Sequence, residues 1–533
     1  MPSPLSDKQG DEPWPANDVV PHSDATVVVG FVHHRPGYSL QPGPGLDGSC
    51  DSRGKSTLVR LYTSSWCQLM LLSSIFFLCP GMLNALNGMG GGGQVDATVA
   101  AQANIALYAC FSVLSFFSGS IVARIGVRAS LVVGALGYTL YCGSFWSYNL
   151  NSNGAFVTAS GALLGACAAL VWTVQGALVL ALPTERQRGR FIATFWILLN
   201  LGACIGAAIQ LGLSYYSQTS TVSDGTYIAF TVLTLFGALL GLAVLPPARI
   251  IRSDGTRVSS SSSSLSTPSS TPSLVGGRPR ADWKRQVAGS ALLLIRDPWV
   301  LVLLPCFLAS NWFYTWQFNC FNGALFTLRT RALNSTVYWM SQMASSLLLG
   351  RILDERRFGL RTRAWIGLAI TAVLTAAVFG GSYAKQRDYT RSSVADGTTR
   401  RIDFTDAASI YAPLLFLFLL MGALDAIWQC YTLYSIGTIS NDFDKLAHLA
   451  GLYKCFQSAG AAVAFALDRN HQPFMTQLAV CWALALVGCV CFAFVVHYRV
   501  AEEMIGAQEE GVEAGSVDVA VAPPVKNDKE AQV

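Results

Sequence analysis

Asp425 and Lys454 are the two residues of this chain whose chemistry stands out, because each interrupts a long apolar stretch. Away from the ends of such stretches, no other acidic or basic residue occurs. A charge at the centre of a bilayer costs about 2.5–3.5 kcal/mol on insertion scales, so charges there are usually paired and functional. We therefore predict an Asp425–Lys454 ion pair. It would serve either as a proton-coupling site or gate, or as a static pair that orients two helices.

The composition indicates a membrane environment for both charges. Of the 533 residues, 52% are hydrophobic and only 13% are charged, whereas a soluble domain carries about 25% charged residues. A bilayer-spanning helix needs about 20 predominantly apolar residues. Twelve stretches are predicted to span the bilayer: 64–86, 100–122, 129–148, 155–182, 190–213, 226–246, 298–321, 333–352, 364–383, 410–436, 446–467 and 474–497.

The order of these stretches predicts the architecture. Six helices, a long polar loop and six more helices are the outline of a major facilitator fold, in which an axis along the membrane normal relates the two halves. The sequence thus predicts an all-α membrane protein with twelve helices in two six-helix halves. In chain order we expect a disordered cytosolic tail, a six-helix bundle, a Ser/Pro-rich cytosolic linker, a second six-helix bundle and a disordered cytosolic tail: 1–62, 63–246, 247–297, 298–498 and 499–533.

The predicted helices place the two charges at comparable depths. At 1.5 Å per residue, Asp425 lies about 16 Å from the inner end of the tenth helix, and Lys454 lies about 12 Å from the inner end of the eleventh. These helices are consecutive and antiparallel. Their two charges can therefore meet across one helix–helix contact.

Lys and Arg in short loops mark the cytosolic side of a membrane protein. Arginines follow the second, fourth and eighth helices, whereas the first three loops on the other side carry no Lys or Arg. Both termini are therefore expected to be cytosolic, in the plasma membrane or in an endomembrane of vacuolar or endosomal type. The loop between the ninth and tenth helices disagrees, since it carries Lys385, Arg387, Arg391, Arg400 and Arg401.

Two loops, one in each half, resemble the loop signature of the major facilitator superfamily, Gly-x-x-x-Asp-Arg-x-Gly-Arg-Arg, and the second carries extra residues before Gly359. In this signature, the first Gly lets helices approach, the acid can cap a neighbouring helix N-terminus, and the arginines anchor the inner face. The matching residues are Gly119, Arg124, Gly126 and Arg128 after the second helix, and Gly350, Asp354, Arg356, Arg357, Gly359 and Arg361 after the eighth. The first copy has Ala123 where the acid belongs. That loss predicts a weaker inner-face latch and is a hint that transport is altered or absent.

Uncharged polar and aromatic residues also occur within the predicted spans. Polar residues in lipid tend to face the interior of a helix bundle. They would either line a central cavity or only bond one helix to another, and the sequence leaves both open. The candidates are Trp172, Gln175, Asn200, Asn311, Gln317, Asn319, Gln342, Trp428 and Gln429.

Several longer stretches carry a family resemblance. The strongest are Gly422-Ala-Leu-Asp425-Ala-Ile-Trp428-Gln429 and Gly451-Leu-Tyr453-Lys454-Cys-Phe-Gln457. With further matches over roughly residues 65–495, they make the chain resemble the Unc-93-like (uncoordinated-93) family of the major facilitator superfamily. The resemblance implies a twelve-helix facilitator fold but no single function. Some animal relatives look like ion-channel regulators or trafficking chaperones, while most other members are presumed transporters.

Two functions therefore remain open: alternating-access transport of a small solute, with or without a coupled ion, and regulation or escort of another membrane protein. An enzyme is not expected, because the spans show no nucleophile–base pair and no metal-ligand set. No cofactor or metal is expected, since no CxxC pair or Cys/His cluster occurs. A net charge of +5 without a basic block argues against nucleic acid. The expected partners are the lipid bilayer, an unknown small solute or ion, or another membrane protein.

Overall fold

The computed structural model describes residues 57–88, 97–184, 187–215, 224–258, 283–440 and 442–500. The predicted N-terminal tail up to residue 56, the serine-rich part of the linker and the predicted C-terminal tail from residue 501 lie outside the described residues. The chain that is described consists almost entirely of helices.

The first half contains six helices. α1 consists of three consecutive segments, Ser65–Phe76, Phe77–Gly81 and Met82–Gly88. The helical stretch Ala97–Asn151 provides both α2 and α3, which are separated at Gly126. The other three helices are α4 (Gly154–Ala181), α5 (Arg188–Tyr215) and α6 (Asp224–Leu240).

The second half repeats this arrangement after a linker helix, Trp283–Arg296. Its six helices are α7 (Pro298–Thr315, continued by Trp316–Gly323), α8 (Leu328–Leu353), α9 (Leu360–Gln386), α10 (Ala408–Gly437), α11 (Phe443–Arg469) and α12 (Phe474–Phe494, continued by Val495–Arg499). We call the end of the bundle marked by Gly126 and Asp354 the proximal face, and the end marked by Asn151 and Asp403 the distal face.

The predicted all-α fold of twelve helices in two halves is confirmed. Eight stretches of the described chain are long and apolar enough to cross a membrane, and one of them, Val99–Asn151, holds both α2 and α3. α6 is apolar but shorter, and α8 and α11 are more polar. α8 packs against α5, and α11 packs against α2 and α4. The two polar helices of the second half therefore pack against the first half.

Gly126 separates α2 from α3. Its backbone has φ +84° and ψ 165°, the one non-helical pair of dihedrals within Ala97–Asn151. A positive φ of this kind favours glycine, which has no Cβ to clash with the backbone. The predicted motif glycine therefore provides the turn between the two helices.

α1 and α7, the first helix of each half, both contain a π-helical segment. In α1 this segment is Phe77–Gly81 and includes Pro80, whose ring removes a backbone N–H donor. In α7 it is Trp316–Gly323. Such segments are rare and are often found at functional sites, and Pro80 lies in the wall of the cavity described below.

The basic loop between α9 and α10 is paired with acids. Three of its basic residues form ion pairs within 4 Å: Lys385 with Asp388, Arg391 with Asp468, and Arg400 with Asp406. Much of the positive charge that disagrees with the cytosolic-side rule is therefore neutralised by neighbouring carboxylates.

Asp403 ties this distal loop to α8. Its carboxylate accepts hydrogen bonds from Nε and Nη2 of Arg329, each at 2.8 Å, and from Oγ1 of Thr327 and Thr405. Burial alone would raise the pKa of Asp403, but the hydrogen bonds from Arg329, Thr327 and Thr405 outweigh burial and hold this pKa below its usual value. The loop is thus anchored by a charged group that is stabilised in its ionised form.

We expect Asp403→Asn to lower the free energy of unfolding at neutral pH by about 2–3 kcal/mol, because hydrogen bonds to charged groups contribute about 1.5–3 kcal/mol. A depressed carboxyl pKa stabilises the fold above the unfolded-state pKa of about 3.9, and this stabilisation is lost as the pH falls through the folded-state pKa. The melting temperatures of variant and wild type should therefore differ down to about pH 4 and converge only in stronger acid.

The matched control is Asp388→Asn, whose carboxylate belongs to the same loop but is 60% exposed. A surface pair of this kind contributes only about 0–1 kcal/mol. Equal losses of melting temperature in the two variants would contradict the anchoring role of Asp403.

Candidate functional site

A cavity lies between the two halves of the bundle. Its volume is about 70 Å³, which is below the usual range of about 300–1,000 Å³ for ligand pockets, so a solute of that size would fit only after the two halves move apart. Both halves contribute to its wall, through α1 to α5 and through α7, α8, α10 and α11. Asn84 and Asn87, near the distal end of α1, extend it toward the distal face.

Six of the predicted cavity and charge-pair residues line this space: Trp172, Asn200, Asn311, Gln342, Gln429 and Lys454. Among the described residues that line it, Lys454 is the single residue with an acidic or basic side chain. The cavity surface therefore combines amides and aromatic rings with a single basic group.

Lys454 contacts both halves of the bundle. It is 4% exposed, and its Nζ lies 4.2 Å from the ring centre of Trp172 on α4 and 4.8 Å from that of Tyr453. The Trp172 indole is held in place by its own hydrogen bond to the Tyr138 hydroxyl, at 2.9 Å. Lys454 donates to Oε1 of Gln457 at 2.6 Å, one helical turn away on α11. Contact with an aromatic face stabilises a desolvated cation.

Asp425 lies behind the cavity wall and is completely buried. Its Oδ2 accepts from the Tyr338 hydroxyl at 3.0 Å and from Gln342 Nε2 at 2.6 Å. Its Oδ1 accepts from Gln429 Nε2 at 2.6 Å. Tyr338 and Gln342 are four residues apart on α8, so they meet the carboxylate from one face of that helix. The donors therefore come from α8 and from α10 itself.

The structure does not form the predicted direct ion pair. Among the ion pairs within 4 Å that the described residues make, none joins Asp425 to Lys454. Two glutamines lie between the charges. Lys454 donates to Gln457, Gln457 donates to Gln429 at 2.9 Å, and Gln429 donates to Asp425. We call these four residues the charge relay.

The direction of every bond in the charge relay is fixed by its two ends. An ammonium group only donates hydrogen bonds, and an ionised carboxylate only accepts them. Both amides must therefore turn their oxygens toward Lys454 and their nitrogens toward Asp425. A change of charge at one end then conflicts with the hydrogen bonding at the other end.

Several members of this network were not predicted from the sequence. Gln457 follows Lys454 by three residues and therefore shares its face of α11, a spacing that could have indicated it. Tyr338 could be found in the same way from Gln342. Trp196 donates its indole N–H to Gln342 Oε1 at 3.0 Å and so links α5 to the carboxylate of Asp425 across the two halves.

The other predicted cavity residues lie elsewhere and are not among the lining residues of the cavity. Gln317 lies 2.9 Å from the Tyr338 hydroxyl, and Asn319 donates to Asp468 near the distal face. Trp428 is buried against α7 and donates to the carbonyl of Cys306. Gln175 is buried, and neither of its side-chain polar atoms has a hydrogen-bond partner among the described residues.

The second motif copy joins the halves at the proximal face. The Asp354 carboxylate accepts from the backbone N–H groups of Gly189 and Arg190, both at 2.8 Å, and thereby caps the N-terminus of α5. Burial raises the pKa of the Asp354 carboxyl, and these two N–H groups and the Arg190 guanidinium oppose that rise. A Cβ added to Gly350 would lie 2.7 Å from the Gly189 carbonyl oxygen. α5 and α8 are therefore in backbone contact here.

The first motif copy acts differently. Arg124 is exposed, and Arg128 donates to the carbonyl of Val244 at 2.6 Å, within the first half. Gly119 lies against α11, where an added Cβ would be 2.7 Å from His448. The N-terminus of α11, which the missing acid would cap by analogy with Asp354 and α5, is capped instead by its own Asp442.

The remaining motif residues of the second copy lie at the proximal face. Arg356 and Arg357 are exposed, Arg361 lies 3.0 Å from His497, and Gly359 immediately precedes α9. They are not among the described residues that line the cavity.

The family model of the Major Facilitator Superfamily matches residues 61–465. An UNC93-like protein of Schizosaccharomyces pombe is 40% identical over 452 residues, which cover 85% of this chain and 85% of that relative. UNC93-like protein 1 of Arabidopsis thaliana is 38% identical over 440 residues, which cover 82% of this chain and 91% of that relative. These similarities extend over both halves of the bundle.

Two solved structures share the arrangement of helices. The proton:xylose symporter XylE bound to 6-bromo-6-deoxy-D-glucose has a TM-score of 0.56 at 12% identity, and the match covers 81% of this chain and 96% of that chain. The transporter FucP in its outward conformation has a TM-score of 0.52 at 15% identity, with 80% and 98% covered. At such low identity the likeness concerns the fold alone.

Proposed function

Since the chain belongs to the UNC93-like proteins of the major facilitator superfamily, we propose that it carries a small solute across a membrane by alternating access. In this mechanism the two halves rock about a site near the bilayer midplane. The proposal is supported most directly by the cavity, because its wall is built from both halves and must change when they move. We further propose that the proximal face is cytosolic, as the loop charges predict.

The contacts between the two halves at the proximal face are of a kind that can break and re-form, as alternating access requires. They include close glycine contacts, such as Gly189 with Gly350, and hydrogen bonds to backbone groups, such as Arg188 to the Gly437 carbonyl. Backbone groups released from such bonds can be hydrated when the face opens. Separation of the halves would therefore leave no apolar core exposed at these points.

The charge relay supports coupling to an ion, and a proton is the ion that we propose. Asp425 and Lys454 can each change charge by gaining or losing a proton. The hydrogen bond from Trp196 to Gln342 and the contact of Lys454 with Trp172 both cross between the halves. Rocking of the halves would thus alter the surroundings of both groups.

One observation favours a second function, that of a non-transporting regulator or trafficking partner of another membrane protein. Ala123 occupies the acid position of the first motif copy, so the helix-capping contact that Asp354 makes has no symmetrical counterpart. A protein locked in one state would not need two such latches.

Spin-label distances on both faces would test alternating access. In a background without the native cysteines, one pair of labels would occupy Arg124 and Arg356 at the proximal face and another Asn151 and Asp396 at the distal face. We expect two distance populations for each pair, and we expect acidification to shift them in opposite directions. The control pair Arg124 and Asn151, within one half, should keep one distance. A single unchanging distance on each face would favour the regulator.

A further inference from the structure

We infer that the cavity binds a small organic anion, with its negative group at Lys454 and its apolar body against the aromatic wall. This inference names the substrate class of the proposed transporter and therefore rests on that function. It is carried by the charge of the cavity wall, by the position of Asp425 and by the surroundings of Lys454.

The cavity wall carries a positive charge without a matching acid. Lys454 is the one formally charged residue among the described lining residues. Asp425, the nearest acid in the network, is completely buried, and its two oxygens already accept bonds from Tyr338, Gln342 and Gln429. The carboxylate cannot reach Lys454 without leaving these donors buried and unsatisfied. A ligand in the cavity therefore meets the cation but not its partner acid.

Lys454 has capacity for a further acceptor. An ammonium group has three N–H donors, and the described residues offer its Nζ one hydrogen-bond acceptor, the amide oxygen of Gln457. The ring of Trp172 covers another side of the group. A carboxylate, sulfonate or phosphate oxygen would complete its coordination, whereas a cationic ligand would be repelled.

The rest of the wall fits an apolar body with a flat face. Tyr108, Phe111, Trp196 and Trp339 contribute aromatic surface. Seven amide side chains also line the cavity: Asn84, Asn87, Asn200, Asn311, Gln342, Gln429 and Gln457. Ligand pockets typically combine an apolar lining with a few polar groups that fix orientation. An acid with an aromatic or branched aliphatic body and some polar substituents matches this combination.

The charge preference can be measured without knowing the natural substrate. Ala168 lines the cavity one turn before Trp172, so Ala168→Cys in a background without native cysteines places a thiol in the wall that also contains Lys454. Its rate of modification would be compared for two methanethiosulfonates of similar size, the anionic sulfonatoethyl and the cationic trimethylammonium-ethyl reagent. Asn151→Cys, exposed at the distal face, serves as the reference for intrinsic reactivity.

We expect the anionic reagent to react at least about tenfold faster than the cationic one after this correction, because a charged cleft concentrates counter-ions about 10–1,000-fold. Lys454→Gln should bring the ratio close to one, while Lys454→Arg should preserve it. Lys385→Gln, which removes a lysine outside the cavity, is the matched control and should leave the ratio unchanged. Benzoate should slow the modification more than benzamide or benzamidinium.

Failures of the two proposals give different results. If neither reagent modified the thiol of the Ala168→Cys variant from either side of the membrane, the cavity would be closed and the transport function itself would be overturned. If both reagents modified the thiol at equal rates, or the cationic one reacted faster, the cavity would be shown to be accessible and the anion inference would be overturned. Protection by benzamidinium and not by benzoate would also overturn it.

Discussion

Asp425→Ala is expected to lower the free energy of unfolding by about 3–5 kcal/mol, the range for breaking one side of a buried charged network. The variant leaves the donors of Tyr338, Gln342 and Gln429 buried without their acceptor. The effect would be measured as the melting temperature of the purified protein in detergent. Asp396→Ala, which removes an exposed carboxylate, should have almost no effect. Equal melting temperatures for Asp425→Ala and wild type would contradict the network.

Asp425→Asn should lower the free energy of unfolding less than Asp425→Ala does, but its effect should extend along the charge relay to Lys454. An asparagine replaces one carboxylate oxygen by a donor. On the Oδ2 side this donor would face Nε2 of Gln342, whose amide is held in place by the Trp196 N–H. On the Oδ1 side it faces Nε2 of Gln429, and that conflict is relieved when the Gln429 amide turns over. Gln457 must then turn as well, and its nitrogen would face the ammonium of Lys454. The conflict therefore reaches a residue that makes no contact with Asp425.

A double-mutant cycle isolates this long-range effect. In the Lys454→Met background both amides are free to turn, so Asp425→Asn should be milder there than in the wild type. We expect a coupling of about 0.5–3 kcal/mol, the range seen for residues in one network. Additive losses would show that the two glutamines do not transmit the charge of Asp425 to Lys454.

The sequence was sufficient to predict the helices and the family. Twelve apolar stretches gave the two six-helix halves, including α8 and α11, whose polar residues lower their mean hydropathy. The family resemblance rested on motifs around Asp425 and Lys454. It is confirmed by the UNC93-like relatives, which are 38–40% identical to this chain. Hydrophobic length is a local property of the chain, and this explains why it could be interpreted without coordinates.

The contacts of the two charges could not be predicted in the same way. Helix lengths predicted a direct Asp425–Lys454 ion pair, whereas two glutamines lie between the charges, because the rotation of each helix about its axis is set by packing. Neighbouring positions on a helix differ by about 100°. Gln429 consequently lines the cavity, while Trp428, one residue earlier, packs against Cys306. The sequence alone does not show which of the two side chains points into the cavity and which points toward α7.

The Asp354 contact was easier to foresee than the cavity lining, because its chemistry is local. An acid after a helix can accept from any nearby helix N-terminus. The internal repeat also indicated which loop would carry the complete motif. Asp442 shows the limit of that reasoning, since a residue outside the motif caps α11 where Ala123 cannot.

Gly350→Val is the second variant with a large expected effect, and the effect should be on conformation. The added Cβ would lie 2.7 Å from both the Gly189 carbonyl oxygen and the Ala193 Cβ. The backbone oxygen cannot move unless α5 moves away from α8. Overpacking costs about 1–3 kcal/mol, which would shift the equilibrium away from the closed proximal face by about 5–150-fold. The spin-label distance between Arg124 and Arg356 should therefore lengthen in most molecules.

The matched control is Gly380→Val, a helical glycine on α9 whose added Cβ would meet nothing within 4 Å. It should leave the spin-label distance unchanged and alter the free energy of unfolding by no more than about 0.5 kcal/mol. A transporter has an open state that accepts the valine, so Gly350→Val should shift its population while largely preserving its melting temperature. A protein with a single conformation has no open state, so the same clash would lower its free energy of unfolding. A fall in melting temperature with an unchanged Arg124–Arg356 distance would therefore argue against alternating access and for the regulator.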